Sequence, residues 1–212
     1  INISILKKGL SIYRKSFDYF VINASSILWG YTDILAIGFL LDMDSVGIYI
    51  LGQRIANLPS IVLSAFKSYT APLFASYFDR NEFTQIRGLL IKSSIYGFIA
   101  VFIMIVVLIF CWKYLIIYLP EYNDSKIIML VLFVSQIVNS IFGPIGELIQ
   151  MSNSINKYRK VVNYLTLLNV IANYILITQF GLIGAASATV LVTIAANVAS
   201  FYLMRGALIP TE

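Results

Sequence analysis

The sequence contains no histidine and only one cysteine, and just 12% of its 212 residues are charged. Without histidine, the chain lacks the commonest proton shuttle and the commonest metal ligand of proteins. The single cysteine, Cys111, cannot form a disulfide within the chain, so no internal crosslink is predicted. Because soluble domains carry about a quarter charged residues, the low charge content argues against a water-soluble globule.

Motifs for nucleotide hydrolysis, metal binding and potassium selection are also absent. The chain has no GxxxxGK[ST] segment, no CxxC or HExxH pair and no potassium-filter sequence. Two acidic residues, Glu121 and Asp124, lie in a short loop without a supporting catalytic group. We therefore predict no metal and no cofactor, and we predict that the chain is not an enzyme.

Long apolar runs take the place of these motifs. Hydrophobic residues make up 59% of the chain, in runs of about 20 residues, the length that crosses a hydrocarbon layer about 30 Å thick. The sequence predicts an all-α polytopic membrane protein, a single lobe of six transmembrane helices over residues 1–212. The predicted spans lie at about residues 17–41, 46–70, 91–112, 126–150, 161–179 and 182–204.

Lysine and arginine are distributed unequally between the two ends of these spans. Four lie in the N-terminal segment, three in each of the loops near 79–92 and 151–160, and one at Arg205, which makes eleven on one side. Only Lys113 and Lys126 lie on the other side. Since cytoplasmic loops carry the excess of basic residues, both termini are predicted to be cytoplasmic. The net charge of +5 is then explained by topology and by contact with membrane lipids, and no nucleic-acid partner is predicted.

Polar residues inside the predicted spans recur at steps of three and four, which places them on one face of a helix. Because such residues are costly against lipid, the faces are expected to meet at a shared polar interior. The four stripes are Asn23, Ser26, Gly30 and Asp33; Gln53, Asn57, Ser60, Ser64 and Lys67; Gln136, Ser140, Gly143, Glu147 and Gln150; and Asn163, Thr166, Asn169 and Asn173.

The charged residues of these spans each have two interpretations. Asp33 either couples transport to substrate or ion binding, or pairs with Arg54 on the next helix. Arg54 and Lys67 either line the pathway or extend their charged ends to the membrane surface. Glu147 either lines the pathway or lies in the headgroup layer. Pro59, Pro72 and Pro144 predict kinks or helix ends, and Pro59 and Pro144 interrupt polar-faced spans.

Three stretches together resemble the polysaccharide-exporter and O-antigen flippase branch of the multidrug/oligosaccharidyl-lipid/polysaccharide superfamily. They are TDILAIGFLLDMDSVGIYILGQRIANL at residues 32–58, GPIGELIQMSNSINKYRKVVN at 143–163, and NYILITQFGLIGAASATV at 173–190. Members of this family have about twelve to fourteen helices in two lobes, and the chain resembles the second lobe only. The resemblance, together with a sequence that starts at Ile1 rather than methionine, leads us to expect a fragment whose N-terminal lobe belongs to the same parent chain.

The resemblance implies that the substrate is an undecaprenyl-pyrophosphate-linked oligosaccharide, that the membrane is a bacterial inner membrane, and that there is no cofactor. Arg54 would bind the pyrophosphate, since its planar guanidinium offers several donors to an anion, and Asp33 would bind a proton or Na⁺. Amides and hydroxyls would bind the sugar. The predicted pathway residues are Asp33, Gln53, Arg54, Asn57, Ser64, Lys67, Gln136, Asn139 and Glu147.

Three other functions compete with this hypothesis. The chain is alternatively part of a drug/cation antiporter or of a lipid II flippase of the same superfamily. A non-transporting membrane assembly subunit is a second alternative, because six helices also suit a scaffold. A membrane-bound sugar polymerase is disfavoured, because the predicted outer loops are too short to carry a catalytic site.

Overall fold

A computed structural model describes residues 3–152 and 154–208, and these residues form seven α-helices without a strand among them. The helices are α1 (Ile3–Leu40), α2 (Met43–Ala56), α3 (Leu58–Asp79), α4 (Phe83–Tyr118), α5 (Ser125–Phe142), α6 (Ile145–Met151) and α7 (Ile155–Leu208). Four are long and apolar enough to cross a membrane, and the bent pair α2–α3 makes a fifth crossing. The prediction of an all-α polytopic membrane protein is confirmed.

The longest helix, α7, turns back on itself at Gly181, whose backbone (φ 58°, ψ −135°) is not helical. Asn173 and Thr189, eight residues to either side, both donate to the carboxyl group of Asp33. In a straight helix these two residues would lie about 24 Å apart, at 1.5 Å per residue, so the arms before and after Gly181 must pack side by side. The predicted count of six spans requires each arm to cross the membrane separately.

Two of the predicted spans are broken rather than continuous. The span predicted at 46–70 consists of α2 and α3, which meet at Asn57 with a bend of 43°. Pro59 follows directly, and proline cannot donate the hydrogen bond that would continue α2. The span predicted at 126–150 ends its first part at Gly143 (φ 62°, ψ −149°), and Pro144 precedes α6. The breaks lie at Pro59 and Pro144 as predicted, whereas α3 continues through Pro72 without ending there.

The helices extend beyond the predicted spans at several ends. At 36 residues, α4 is about 54 Å long at 1.5 Å per residue, longer than the apolar layer of about 30 Å. α1 begins at Ile3, so the basic N-terminal segment continues directly into the first span. The side chains of Lys7, Lys8, Arg14 and Lys15 lie outside the described part of the chain.

The interior is formed by α1 and α2 packing on α7 and α5, with α4 at the periphery. Gly52 of α2 lies so close to α5 that an added methyl group would stand 2.7 Å from the Ser125 carbonyl oxygen. Such contacts between small residues allow helices in a membrane to approach closely. The core contains Ile37, Tyr49, Trp112, Met129 and Phe133, whereas most of the apolar surface of α4 is exposed and suited to contact lipid.

Candidate functional site

Side-chain hydrogen bonds and one ion pair join the polar faces of different helices at successive depths of the bundle. We call this set the polar column. It begins at Asp33, continues through Asn57–Gln136 and Asn139–Asn197, and ends at Lys67–Glu147 near the basic loops. All of the seven helices except α4 contribute to it. Six of the nine predicted pathway residues belong to these contacts, namely Asp33, Asn57, Lys67, Gln136, Asn139 and Glu147.

Asp33, where the polar column begins, is buried, with only 1% of its surface exposed. Its carboxyl group accepts hydrogen bonds from Tyr49 of α2 at 2.7 Å, from the Asn173 amide at 2.9 Å and from the Thr189 hydroxyl at 2.5 Å. One side chain therefore connects α1, α2 and both arms of α7. The alternative pairing of Asp33 with Arg54 is not present among the ion pairs of the described residues.

The bend between α2 and α3 carries the next contact. The Gln136 amide of α5 donates to the Asn57 side-chain oxygen at 3.1 Å. Arg54, three residues before Asn57, is exposed, and the neighbouring Gln53 is half-buried. Ser64 is also exposed, but its hydroxyl donates to the Ser60 carbonyl within α3. Arg54 thus has an accessible guanidinium beside an exposed amide.

Two contacts lie near the basic end of the bundle. The Asn197 amide of α7 donates to the Asn139 side-chain oxygen of α5 at 2.8 Å. One to two turns further, Lys67 Nζ of α3 lies 3.2 Å from Glu147 Oε1 of α6. This ion pair ties the short helix α6, which follows the break at Gly143, to α3.

The prediction that each polar stripe faces one shared interior describes the arrangement only in part. In the first stripe Asn23, Ser26 and Gly30 are exposed, whereas Asp33 is buried. In the third stripe Ser140 is fully buried and donates to the Ile137 carbonyl of its own helix. A hydroxyl satisfied by its own helix needs no polar neighbour, and this is why spacing alone does not separate pathway residues from packed ones.

Several members of these contacts were not singled out from the sequence. Thr189 and Asn197 lie among small residues on the second arm of α7, where no polar stripe marks them. Arg159 was assigned to a basic loop, yet it lies 2.9 Å from the fully buried Asp18 of α1. Tyr49, the donor to Asp33, was not singled out either. The only signal that would have found Asn173 and Thr189 together is their equal distance from Gly181.

The ion pair between Lys67 and Glu147 is expected to contribute little to stability. The Lys67 side chain is 43% exposed and that of Glu147 23%, and pairs this accessible to solvent are worth less than about 1 kcal/mol. A double-mutant cycle with Lys67→Met and Glu147→Gln, followed by thermal unfolding in detergent, should give a coupling energy in that range. Lys92→Met, at an exposed position, is the matched control. A coupling energy several times larger would contradict this prediction and make α6 a rigid part of the bundle.

Two known proteins are similar to the chain over 90% of its length. One, 26% identical over 197 residues, is named a probable low-salt glycan biosynthesis flippase, Agl15, of Haloferax volcanii. The other, 26% identical over 200 residues, is the probable flippase AglR of the same organism. The chain spans 42% of the length of each relative. No family model matches the chain, and no solved structure matches it. Flippases are transporters, in agreement with the prediction that this chain is not an enzyme.

Proposed function

We propose that the chain is the C-terminal lobe of a flippase that moves a lipid-linked oligosaccharide between the two leaflets of a membrane. The observation that carries the proposal is the polar column, which places amides, hydroxyls and charges at successive depths of an apolar helix bundle. Polar groups at membrane depth are costly and mark substrate or ion pathways. Similarity to two probable flippases, one named for glycan biosynthesis, supports the same function.

The remainder of the pathway is proposed to come from an N-terminal lobe of the same parent chain. The 42% coverage of the relatives fits a half-length segment. The exposed polar residues Asn23, Ser26, Arg54 and Asn57 would then face that lobe rather than lipid. This arrangement removes the cost of exposing amides and a guanidinium to acyl chains.

Within this proposal, the substrate is a glycan on an anionic polyprenyl carrier. An undecaprenyl pyrophosphate carrier in a bacterial inner membrane, with both termini in the cytoplasm, is the specific form that we propose. Arg54 would bind the phosphate groups, because its exposed guanidinium can donate two parallel hydrogen bonds to an anion. The carrier tail would remain among the lipids while the head group passes along the polar column.

Asp33 is proposed to hold the coupling cation, a proton or Na⁺. Its carboxyl group lies beside the hydroxyls of Tyr49 and Thr189. The side-chain oxygens of Asn169 and Asn173 are buried without a hydrogen-bond donor in the described part of the chain. Oxygen atoms in such a cluster are the ligands that hard cations prefer.

The decisive experiment is a flipping assay on the full-length protein in vesicles, using a fluorescent lipid-linked oligosaccharide and a quencher that reaches only the outer leaflet. We expect Arg54→Ala to slow flipping by about tenfold to a hundredfold, because a hydrogen bond to a charged group contributes about 1.5–3 kcal/mol. Arg54→Lys should retain part of the activity, since it keeps the charge but loses the planar donor pair.

Arg87→Ala is the matched control, because Arg87 is exposed near the basic end of α4 and lies outside the polar column. It should flip at the wild-type rate. Normal flipping by Arg54→Ala at equal protein level would remove Arg54 from the mechanism. Failure of the wild-type protein to flip any lipid-linked glycan would overturn the proposed function and leave a scaffold or a different transporter.

A further inference from the structure

A polar cavity of about 170 Å³ lies beside the basic end of the polar column. It is enclosed by helices that are distant in sequence, namely α1, α3, α5, α6 and both arms of α7. Its polar and aromatic lining consists of Trp29, Lys67, Asn139, Tyr158, Asn197 and Ser200. Gly143, Ile145, Gly146 and Ala196 complete the wall. A Cβ atom at Gly146 would stand 3.0 Å from the Tyr158 hydroxyl, so the glycine keeps the space beside that ring open.

The amides of the cavity leave both donors and acceptors available to a ligand. The Asn197 amide nitrogen is occupied, since it donates to Asn139 and to the Thr193 carbonyl, but its oxygen accepts no hydrogen bond from the described residues. Asn139 uses only its oxygen in that contact, so its amide nitrogen remains a donor. An adjacent donor and acceptor match a group that also does both, and a hydroxyl is the commonest group of this kind.

The charges at the cavity cancel. Lys67 lines the cavity, and its ammonium group lies 3.2 Å from the carboxyl group of Glu147, which is just outside the lining. A phosphate would meet that carboxyl group and a metal cation would meet that ammonium, so either ion would face a like charge at close range. The pair favours a neutral ligand that can accept a hydrogen bond from Lys67.

The remaining walls suit a small ring with polar edges. The Trp29 indole N–H donates to Thr166 at 2.8 Å, which fixes the ring that lines the cavity. An aromatic face of this kind packs against the C–H surface of a sugar ring. The cavity volume equals that of about five or six molecules of liquid water, enough for one sugar ring and too little for two.

We propose that this cavity is a subsite for one neutral sugar ring of the transported glycan. The assignment rests on the proposed function and deepens it, because it separates sugar recognition from phosphate recognition. Asn139, Asn197 and Lys67 bind the sugar hydroxyls, Trp29 covers the apolar face of the ring, and Arg54 binds the anionic carrier elsewhere on the bundle.

The test is protection of an introduced thiol in the full-length protein, in a background free of other reactive cysteines and with Cys111→Ala. Ala196→Cys places the thiol in the cavity wall, and Ser200→Cys, which is nearly isosteric, provides a second reporter. Ser68→Cys, at an exposed position next to Lys67 and outside the cavity lining, is the matched control. The probes are a panel of methyl hexosides and N-acetylhexosamines, with mannitol and inorganic pyrophosphate for comparison.

We expect at least one methyl glycoside at about 10–100 mM to slow thiol labelling roughly threefold or more at both cavity positions and not at Ser68→Cys, because a single ring binds in the millimolar range. Mannitol and pyrophosphate should give no protection. Protection by pyrophosphate alone, equal protection by mannitol, or no protection by any glycoside would overturn the subsite. So would thiols at both cavity positions that fail to react, since the cavity would then be closed to water.

The flipping assay distinguishes failure of the subsite from failure of the proposed function. If the wild-type protein flips a lipid-linked glycan but no sugar protects the cavity, the function stands and the subsite is wrong. If sugars protect the cavity while no lipid-linked glycan is flipped, the chain binds sugar in another role.

Discussion

Replacing Asp33 with leucine should destabilise the bundle by about 2–4 kcal/mol. The substitution removes the acceptor shared by Tyr49, Asn173 and Thr189, all within a buried site. The three donors that lose this acceptor are not affected equally. The Asn173 amide also donates to the Asn169 carbonyl, and a threonine can turn back to the carbonyl four residues earlier in its helix. Tyr49 is the group left without an acceptor, so the effect stays below the sum of three unsatisfied donors.

Asp33→Asn separates stability from transport. The asparagine keeps one oxygen and nearly the same shape, so it should cost about 1 kcal/mol or less. If Asp33 holds the coupling cation, the same variant should still lose cation-dependent flipping, because the amide carries no negative charge. Unfolding is measured by titration with a denaturing detergent, and flipping is measured with the same preparation across pH and Na⁺ concentrations.

Asp44→Leu is the control for the change of residue type, since Asp44 is exposed in the first turn of α2. An acidic residue at that position contributes about 0.3–1 kcal/mol through the helix dipole. If Asp33→Leu were no more destabilising than Asp44→Leu, the Asp33 contacts would not hold α1, α2 and α7 together. If the Asp33→Asn variant flips at the wild-type rate and with the same cation dependence, Asp33 does not couple transport to a cation. Its structural role would remain.

The membrane-spanning segments were predictable because they depend on local properties. A run of about 20 apolar residues must be a helix when lipid surrounds it, since every backbone polar group has to be satisfied within the segment. The breaks before Pro59 and around Pro144 follow from the missing N–H of proline and the restriction on the preceding residue. The turn at Gly181 falls between the predicted spans 161–179 and 182–204, so the sequence located it within two residues.

The partners of the polar residues were not predictable in the same way. A stripe at steps of three and four identifies the polar face of a helix but not the helix that this face meets. One of the two interpretations of Asp33 paired it with Arg54, a basic residue inside the next span. The Asp33 partners Asn173 and Thr189 are 140 and 156 residues away in the sequence. They are brought to it because α1 packs against both arms of α7, and that arrangement is a property of the whole bundle.

The second large effect on stability is expected from a substitution in the hairpin that the two arms of α7 form. Gly184 faces Leu176 across the turn so closely that a Cβ atom at position 184 would overlap the Leu176 carbonyl group. Backbone atoms cannot move aside by changing a rotamer, so Gly184→Val should separate the two arms. The expected cost is about 3 kcal/mol or more, at or above the upper end of overpacking effects. The separation would also pull Asn173 and Thr189 apart and so weaken their shared contact with Asp33.

Two other glycine variants test whether the overlap with Leu176 causes the destabilisation. Gly30→Val is the matched control, because Gly30 lies within helix α1 with no atom within 4 Å of an added Cβ. It should leave the yield of folded protein and the unfolding midpoint nearly unchanged. Gly181→Ala meets no neighbouring atom but forces alanine into a backbone conformation (φ 58°, ψ −135°) that favours glycine, at a cost of about 1–3 kcal/mol.

The predicted order of destabilisation is therefore Gly184→Val, then Gly181→Ala, then Gly30→Val, measured as monodisperse yield and unfolding midpoint in detergent. Equal stability of Gly184→Val and Gly30→Val would mean that the arms do not touch at Leu176, and the link from Asp33 to both arms would then lose its basis. This order of stabilities would link the proposed Asp33 site to the turn at Gly181. Asn173 and Thr189 can both reach the Asp33 carboxyl group only when Gly184 allows the two arms of α7 to approach.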